Sequence, residues 1–182
     1  MPDFSKPWLT FLAVLAGIGL ILSFLSHVAA LSGAQGPLGT RTFWLHIGVF
    51  IVWIPTVLVS KRMTAGFDQK DFWKAVLRGC PSWARYVVGG FFAYALVNFI
   101  LALTNAPPKG SGPGGMPPSV VRGFSGHWMA FYSAAMAVLY SAAHVPELRP
   151  RTCSNGHAVG PQAQFCENCG QPVAAPLSGL AK

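Results

Sequence analysis

The sequence predicts an all-α membrane protein in which four helices cross the bilayer as a bundle and a small folded unit follows them. Only 10% of the 182 residues are charged and 52% are hydrophobic, with a mean hydropathy of +0.45. A soluble domain carries about 25% charged residues. Four long apolar segments are present, and the largest group of basic residues lies between the second and the third. Because so few charges cannot cover a surface that faces water, the composition indicates a membrane protein.

The first predicted span covers residues 8–31, which contain no Asp, Glu, Lys or Arg. A helix of this length measures about 36 Å, enough to cross a hydrocarbon core of about 30 Å with some tilt. A cleaved signal peptide is the alternative, because Val28-Ala29-Ala30 resembles a cleavage site. The apolar stretch is longer than the apolar core of a signal peptide, which has about 7–15 residues, and its only preceding cation is Lys6. We therefore predict a retained helix.

The other predicted spans cover residues 42–59, 86–103 and 126–144, and their lengths are near the lower limit for crossing a bilayer. Pro55 should kink the end of the second span, which membrane helices tolerate because neighbouring groups satisfy the freed carbonyl. Pro146 closes the fourth. The four spans make up a transmembrane domain over residues 1–145.

The connection between the second and third spans sets the predicted orientation. It contains six of the thirteen basic residues in a chain of net charge +8, and basic loops stay on the cytoplasmic side. With four spans, both termini share that side, which then holds ten of the thirteen. We therefore expect a protein of the inner membrane with both termini in the cytoplasm. The six residues are Lys61, Arg62, Lys70, Lys74, Arg78 and Arg85.

Two connections carry further expectations. The sequence of residues 68–80 predicts a short amphipathic helix, with Phe72, Trp73 and Val76 on its apolar face. Such a helix lies flat among lipid headgroups, and we favour a passive anchor over a lipid-regulated switch. Residues 104–125 are rich in proline and glycine, which favours an extended loop.

The C-terminal region holds the clearest chemical motif. Cys153 and His157 form one closely spaced pair, and Cys166 and Cys169 form a second pair after eight intervening residues. Two such pairs joined by a short hairpin are what a tetrahedral Cys3His zinc site needs. So short a segment cannot fold by apolar burial alone, so the metal would supply its folding free energy. A disulfide with two free groups is the alternative, but the reducing cytoplasm disfavours it.

This motif resembles the short zinc ribbons found in many bacterial proteins. The run from Phe165 to Gly170, F-C-E-N-C-G, matches their second arm, and His157 stands where a cysteine is more usual. The resemblance implies a structural zinc ribbon over residues 153–173, in which protein fills every ligand position. Residues 146–152 would then be a linker and residues 174–182 a disordered tail.

Three histidines fall at one predicted depth, near the non-cytoplasmic face: His27, His46 and His127. Small residues recur at helical spacing beside His27 and His127, which predicts that both face the bundle interior. Opposed histidines could ligate haem b, copper or zinc. Equally, they could bond to water, backbone carbonyls or headgroups without binding a ligand. We favour the second interpretation.

The predicted fold is thus a four-helix transmembrane bundle with a small C-terminal zinc ribbon. The predicted function is an accessory, scaffold or regulatory membrane protein whose ribbon contacts a protein partner or a larger membrane complex. Its alternative is a membrane electron-transfer or metal-binding protein that uses the three histidines. No nucleophile–base pair, carboxylate dyad or phosphate loop predicts an enzyme. Nucleic acid is not an expected partner, because the segment from residue 151 to the C-terminus, which includes the ribbon, carries as charges only Arg151, Glu167 and Lys182.

Overall fold

The computed structural model describes residues 5–64, 67–104, 117–145, 151–159 and 163–173. Within these ranges the helices are α1 (Lys6–Leu31), α2 (Trp44–Met63), α3 (Phe72–Val76), α4 (Ala84–Thr104) and α5 (Pro118–His144). Short 3-10 turns, Gly39–Arg41 and Gln69–Asp71, precede α2 and α3. Strands β1 (Arg151–Thr152) and β2 (Ala158–Val159) pair antiparallel in the C-terminal region. The predicted disordered tail and most of the predicted linker lie outside the described residues.

Helix α5 lies at the centre of the bundle, and α1, α2 and α4 each pack against it. Seventeen of its 27 residues are buried, many of them alanine, serine or glycine. Small side chains let neighbouring helices approach closely without strain. Only four of the 21 residues of α4 are buried, so that helix covers one side of α5 and leaves most of its own surface outside.

Tyr132 of α5 is wedged between α1 and α2. A Cβ atom added at Gly19 of α1 or at Gly48 of α2 would collide with the Tyr132 side chain. The tyrosine hydroxyl donates a 2.8 Å hydrogen bond to the carbonyl of Leu45. The close approach therefore requires glycine at both positions, and the buried phenol still has a polar partner.

Within the described ranges, three helical segments are long and apolar enough to cross a membrane: Lys6–Leu31, Gly39–Met63 and Ala84–Thr104. Their most apolar windows have mean hydropathies of 2.3, 2.0 and 2.0. Large apolar side chains on all three lie exposed on the outside of the bundle. These features agree with the prediction of a helical membrane protein.

The fourth predicted span, residues 126–144, falls within α5, which is not among those three segments. Its burial explains the difference, because a helix enclosed by three others needs small residues for packing rather than large apolar residues. The helix also begins earlier than expected. Pro118 occupies its first turn, where proline is well tolerated, so residues 118–125 are helical rather than part of the predicted loop.

The predicted amphipathic helix over residues 68–80 is shorter than expected, because α3 covers only Phe72–Val76. Trp73 is 48% exposed, as a headgroup anchor requires. Val76 and Leu77, however, are buried in the hydrophobic core of the bundle instead of facing outward.

Contacts made by Arg78 and Gly79 explain why this helix stops early. The Nη1 atom of Arg78 donates hydrogen bonds to the carbonyls of Met63 and Ala75, at 2.7 and 2.9 Å. The backbone N–H of Gly79 donates to Ser141 Oγ at 2.9 Å. A Cβ atom at Gly79 would also collide with the backbone of Ser141. The loop is therefore held against α5, away from a position flat on the membrane.

Candidate metal centre and the membrane histidines

The first arm of the C-terminal motif is a tight hairpin that places Cys153 beside His157. Strands β1 and β2 pair on either side of it. The N–H of Cys153 donates to the carbonyl of His157 at 3.0 Å, and the N–H of Gly156 donates to the carbonyl of Cys153 at 2.9 Å. Gly156 has a φ of 79°, a conformation that side chains other than glycine rarely adopt.

The second arm repeats this construction around Cys166. The N–H of Cys166 donates to the carbonyl of Gln171 at 2.9 Å, and the N–H of Gly170 donates to the carbonyl of Cys166 at 2.8 Å. Gly170 has a φ of 68°. Phe165 and Pro172 form an isolated antiparallel bridge that closes the turn. Both arms therefore use a glycine in the left-handed region to bend a short loop around a cysteine.

The two arms bring four ligand atoms together, all within 4.8 Å of one another. Cys153 Sγ lies 3.6 Å from His157 Nδ1 and 3.6 Å from Cys169 Sγ. Cys166 Sγ lies 3.8 Å from His157 Nδ1. A tetrahedral ion with zinc–sulfur bonds of about 2.3 Å and zinc–nitrogen bonds of about 2.0–2.1 Å sets its ligands about 3.6–3.8 Å apart. The sulfur atoms are too distant for a disulfide, in which they lie about 2.0 Å apart.

The protein surroundings prepare these sulfur atoms unequally for metal binding. Burial raises the pKa of Cys153, but hydrogen bonds from the backbone of Asn155 and His157 and from the Cys166 and Cys169 thiols outweigh it and lower the pKa to about 6. The sulfur is then mainly thiolate at neutral pH, the form that binds metal.

Cys169 is shifted in the other direction. A backbone hydrogen bond from Gln171 lowers its pKa, but burial and the neighbouring sulfur atoms of Cys166 and Cys153 outweigh that bond and raise the pKa above its ordinary value. Two thiolates at this separation repel each other, so without a cation the second sulfur keeps its proton.

The four residues predicted as metal ligands thus come together, and they could hold a metal ion. Among the described residues they are the one group of three or more potential metal ligands that lie close enough to do so. With three sulfur atoms and one imidazole nitrogen, a four-coordinate ion would have no open position for substrate or water.

The histidine predicted at the end of the first span lies in a polar cluster of its own. His27 is only 3% exposed. Its Nδ1 atom lies 2.7 Å from Ser125 Oγ on α5, and its Nε2 atom lies 2.5 Å from the hydroxyl of Tyr94 on α4. Neither Tyr94 nor Ser125 was predicted from the sequence as a partner of His27. The sequence signal that could have identified Tyr94 is a tyrosine in the middle of an apolar span.

The other two membrane histidines have separate partners. His46 Nδ1 accepts a 3.1 Å hydrogen bond from the indole N–H of Trp128. His127 Nδ1 lies 3.2 Å from the carbonyl of Gly123, and its ring packs edge-on against Phe99. The three histidines do not form a common ligand group in the described part of the chain.

The chain matches no protein-family model, and no curated protein or solved structure is significantly similar to it. The likeness of the C-terminal region to zinc ribbons therefore remains a likeness of motif, supported by the geometry of its four ligands.

Proposed function

We propose that this protein is a four-span protein of the inner membrane that carries a structural zinc ribbon in the cytoplasm as a docking module for a protein partner. Its role would be that of an accessory, scaffold or regulatory protein. The closed Cys3His cluster is the observation that carries this proposal, because closed sites of this kind stabilise a fold, whereas catalytic zinc sites keep a position open.

Zinc is the metal that fits this ligand set best. Thiolate and imidazole ligands in tetrahedral arrangement favour zinc over the harder magnesium and calcium ions. The rest of the ribbon offers little to hold it together, since each strand has two residues and Phe165 is 61% exposed. The metal would therefore supply most of its folding free energy.

The packing of α5 supports its assignment as the fourth span. Its 27 residues make a helix of about 40 Å, longer than the hydrocarbon core. Gly17 of α1 lies against Met136, and His27 of α1 lies against Ser125. The two helices therefore run antiparallel along most of their length, and a bilayer that contains α1 also contains α5.

The orientation rests on charge and on aromatic residues at the same end of the bundle. Trp83 and Tyr86, at the start of α4, are 62% and 71% exposed, which suits the aromatic belt of a membrane interface. Arg85, one of the six basic residues of the α2–α4 connection, lies over the Tyr86 ring, with its guanidinium carbon 5.2 Å from the ring centroid. A membrane orientation with this end in the cytoplasm follows the positive-inside rule.

Topology is tested with reporter fusions in the full chain. A reporter placed after Lys182 should be active only in the cytoplasm, and one inserted near Lys109 should be active only on the outer side. Activity of the Lys182 fusion on the outer side would mean an odd number of spans and would overturn the four-span arrangement.

The docking role is tested by replacing Phe165, the exposed aromatic residue of the ribbon, with a photoreactive amino acid in the full chain. We expect irradiated cells to give one dominant protein adduct, and we expect Cys169→Ser to abolish it. A photoreactive residue at Phe11, exposed on α1, is the matched control and should crosslink only lipid. If the protein adduct persists in the Cys169→Ser variant, the folded ribbon is not the docking module.

Purified protein also separates this proposal from the histidine-based alternative. We expect about one zinc per chain, from the single Cys3His cluster, and no Soret band. A Soret band that disappears with His27→Ala would favour electron transfer. No observation favours that function at present, because the three histidines have separate partners.

A further inference from the structure

The three cysteines of the ribbon cluster differ in how far solvent reaches them. Cys153 and Cys166 are 5% and 3% exposed, whereas Cys169 is only half-buried. Its neighbours Asn168 and Gly170 are both exposed, so the loop that carries Cys169 lies at the surface of the ribbon. With a metal bound, every cysteine ligand is a thiolate, and accessibility then decides which sulfur a dissolved oxidant reaches first. That sulfur belongs to Cys169.

A second sulfur lies close enough to react with an oxidised Cys169. Cys153 Sγ is in contact with Cys169 Sγ at 3.6 Å, so a modest approach of the two side chains reaches the about 2.0 Å of a disulfide. A thiol beside an accessible cysteine is the usual partner that converts its first oxidation product into a disulfide. The geometry therefore supplies both an attacked sulfur and a resolving sulfur.

The ribbon depends on the cluster for the connection between its two arms. The strand pairing and the backbone hydrogen bonds described above each lie within one arm. The arms meet at the cluster, where Cys153 contacts Cys169 and Cys166 contacts His157. If Cys153 and Cys169 bond to each other, only two of the four ligands that a structural zinc ion needs are left. Oxidation of this one pair therefore removes the folding free energy that the metal supplies.

We propose that the ribbon is a peroxide-sensitive switch, in which a disulfide between Cys169 and Cys153 releases zinc and unfolds the docking module. The switch rests on the proposed zinc ribbon and adds its regulation. In the reducing cytoplasm the thiolates are the resting state, and the disulfide is a transient form that reports an oxidant.

The reaction takes two steps and consumes one hydrogen peroxide. The Cys169 thiolate attacks a peroxide oxygen, the O–O bond breaks, and hydroxide leaves while the sulfur becomes a sulfenic acid. The Cys153 thiolate then attacks Cys169 Sγ, the S–S bond forms, the S–O bond breaks, and a second hydroxide leaves. The two sulfur atoms have together lost the two electrons that the peroxide has gained. A dithiol reductant restores both thiols by exchange and becomes a disulfide itself.

The test treats the full-length chain, purified in detergent and carrying Cys80→Ser, with hydrogen peroxide. Cys80 lies outside the cluster, so this substitution leaves only the ribbon thiols. We expect one zinc released for each disulfide formed, with a chelating dye measuring the zinc and mass spectrometry of unreduced peptides locating the disulfide. A dithiol followed by added zinc should restore the starting form. Zinc retained under peroxide would overturn the switch, and a disulfide between Cys166 and Cys169 would overturn the pairing.

Two substitutions that keep a metal ligand test the role of the exposed sulfur. Cys169→His and its matched control Cys166→His each leave two cysteines and two histidines, a ligand set that zinc accepts. We expect Cys166→His to release zinc under peroxide as fast as the parent chain, and Cys169→His to release it about tenfold more slowly or less. Equal rates would overturn the assignment of Cys169. If either variant binds no zinc, the location of the disulfide in the parent chain decides.

Failure of the switch can be told apart from failure of the proposed function. The zinc content before treatment tests the ribbon itself, so a chain that binds no zinc fails before peroxide is added. With the photoreactive residue at position 165, peroxide should abolish the protein adduct and a dithiol with zinc should restore it. An adduct that persists after zinc has left would refute docking by the folded ribbon, whereas zinc that stays bound refutes the switch alone.

Discussion

The bundle and the ribbon are stabilised by different means. In the bundle, seventeen residues of α5 are buried against three neighbouring helices, and no single side chain dominates the contact. In the ribbon, the buried side chains among those described are Cys153 and Cys166, which both belong to the cluster that could hold a metal ion. The bundle is therefore held by many small contributions, whereas under the proposed function the ribbon is held by four ligand atoms on one ion.

This difference determines how each region responds to change. Packing energy spread over many side chains falls gradually when one of them is altered, because neighbours retain their contacts. A metal site fails at once, since three ligands cannot offset the entropy of ordering so short a chain. The same protein should therefore show both gradual and all-or-none responses to single substitutions.

The largest expected effect is that of Cys169→Ser. We expect the variant to lose stoichiometric zinc and to become protease-sensitive after residue 150, while its helical circular dichroism stays unchanged. Cys80→Ser is the matched control, because Cys80 lies outside the cluster and its Sγ donates to the carbonyl of Ala137 at 3.1 Å. That variant should keep one zinc. A protease-resistant ribbon in Cys169→Ser would show that packing, and not metal, holds it.

Acidification should weaken zinc binding by the ribbon and leave the helical bundle unchanged. The pKa of Cys153 is lowered to about 6, so its stabilising contribution is present above the ordinary pKa of a thiol and is lost as pH falls through about 6. Cys169, with a raised pKa, must release a proton to bind zinc even near neutral pH. Zinc affinity should therefore fall from pH 8 downward, by more than about tenfold between pH 7 and 5.5.

A competitive zinc titration of the full chain at several pH values measures this dependence, with helical circular dichroism followed in parallel. The helices should be unaffected, because the described part of the bundle buries no Asp, Glu, Lys or Arg in its core. An affinity that stays constant between pH 7 and 5.5 would contradict thiolate ligation.

The sequence predicted the cluster of potential metal ligands residue by residue but the bundle only in outline. Cys153, His157, Cys166 and Cys169 were identifiable because each pair lies within one turn, so local spacing determines the geometry. The three described helices that could cross a membrane were visible as apolar segments for the same local reason. The common histidine site was not supported, because the positions of His27, His46 and His127 depend on how helices rotate about their axes.

Three other features could not be read from local patterns. Residues 118–125 read as loop because of their composition, yet they pack on α4 and are helical. The helix over residues 68–80 ended early because Gly79 contacts Ser141, 62 positions away in the chain. Tyr94 escaped notice because its partner His27 lies on another helix. In each case the decisive contact joins distant segments, and periodicity along one helix carries no information about it.

Within the bundle, the largest effect of a single substitution should come from a close approach to backbone, which no side-chain movement can relieve. A Cβ atom at Gly79 would collide with the backbone of Ser141, which cannot move aside without shifting α5. We expect Gly79→Ala to destabilise the bundle by about 1–3 kcal/mol, the usual cost of overpacking. Gly89→Ala is the control, because a Cβ there meets nothing within 4 Å. Thermal unfolding in detergent measures both, and equal midpoints would contradict the close contact.

The smallest effect should come from removing one buried hydrogen bond. Tyr132→Phe deletes the hydroxyl that donates to the Leu45 carbonyl at 2.8 Å but keeps the ring that fills the space beside Gly19 and Gly48. The Leu45 carbonyl keeps its place in the backbone ladder of α2, so no group is left without a partner. We therefore expect a loss of about 0.5–1.5 kcal/mol, the net value of one intramolecular hydrogen bond.

Tyr140→Phe is the matched control on the same helix, because Tyr140 is 43% exposed and stacks on His144 at the edge of the bundle. It should change stability by less than about 0.5 kcal/mol, as is usual for surface substitutions. Urea unfolding monitored by near-ultraviolet circular dichroism resolves a difference of this size. If Tyr132→Phe instead unfolds the bundle, its stability is concentrated in one contact, as in the ribbon, and the contrast between the two regions is wrong. A modest loss in the bundle beside complete loss of the ribbon in Cys169→Ser would establish it.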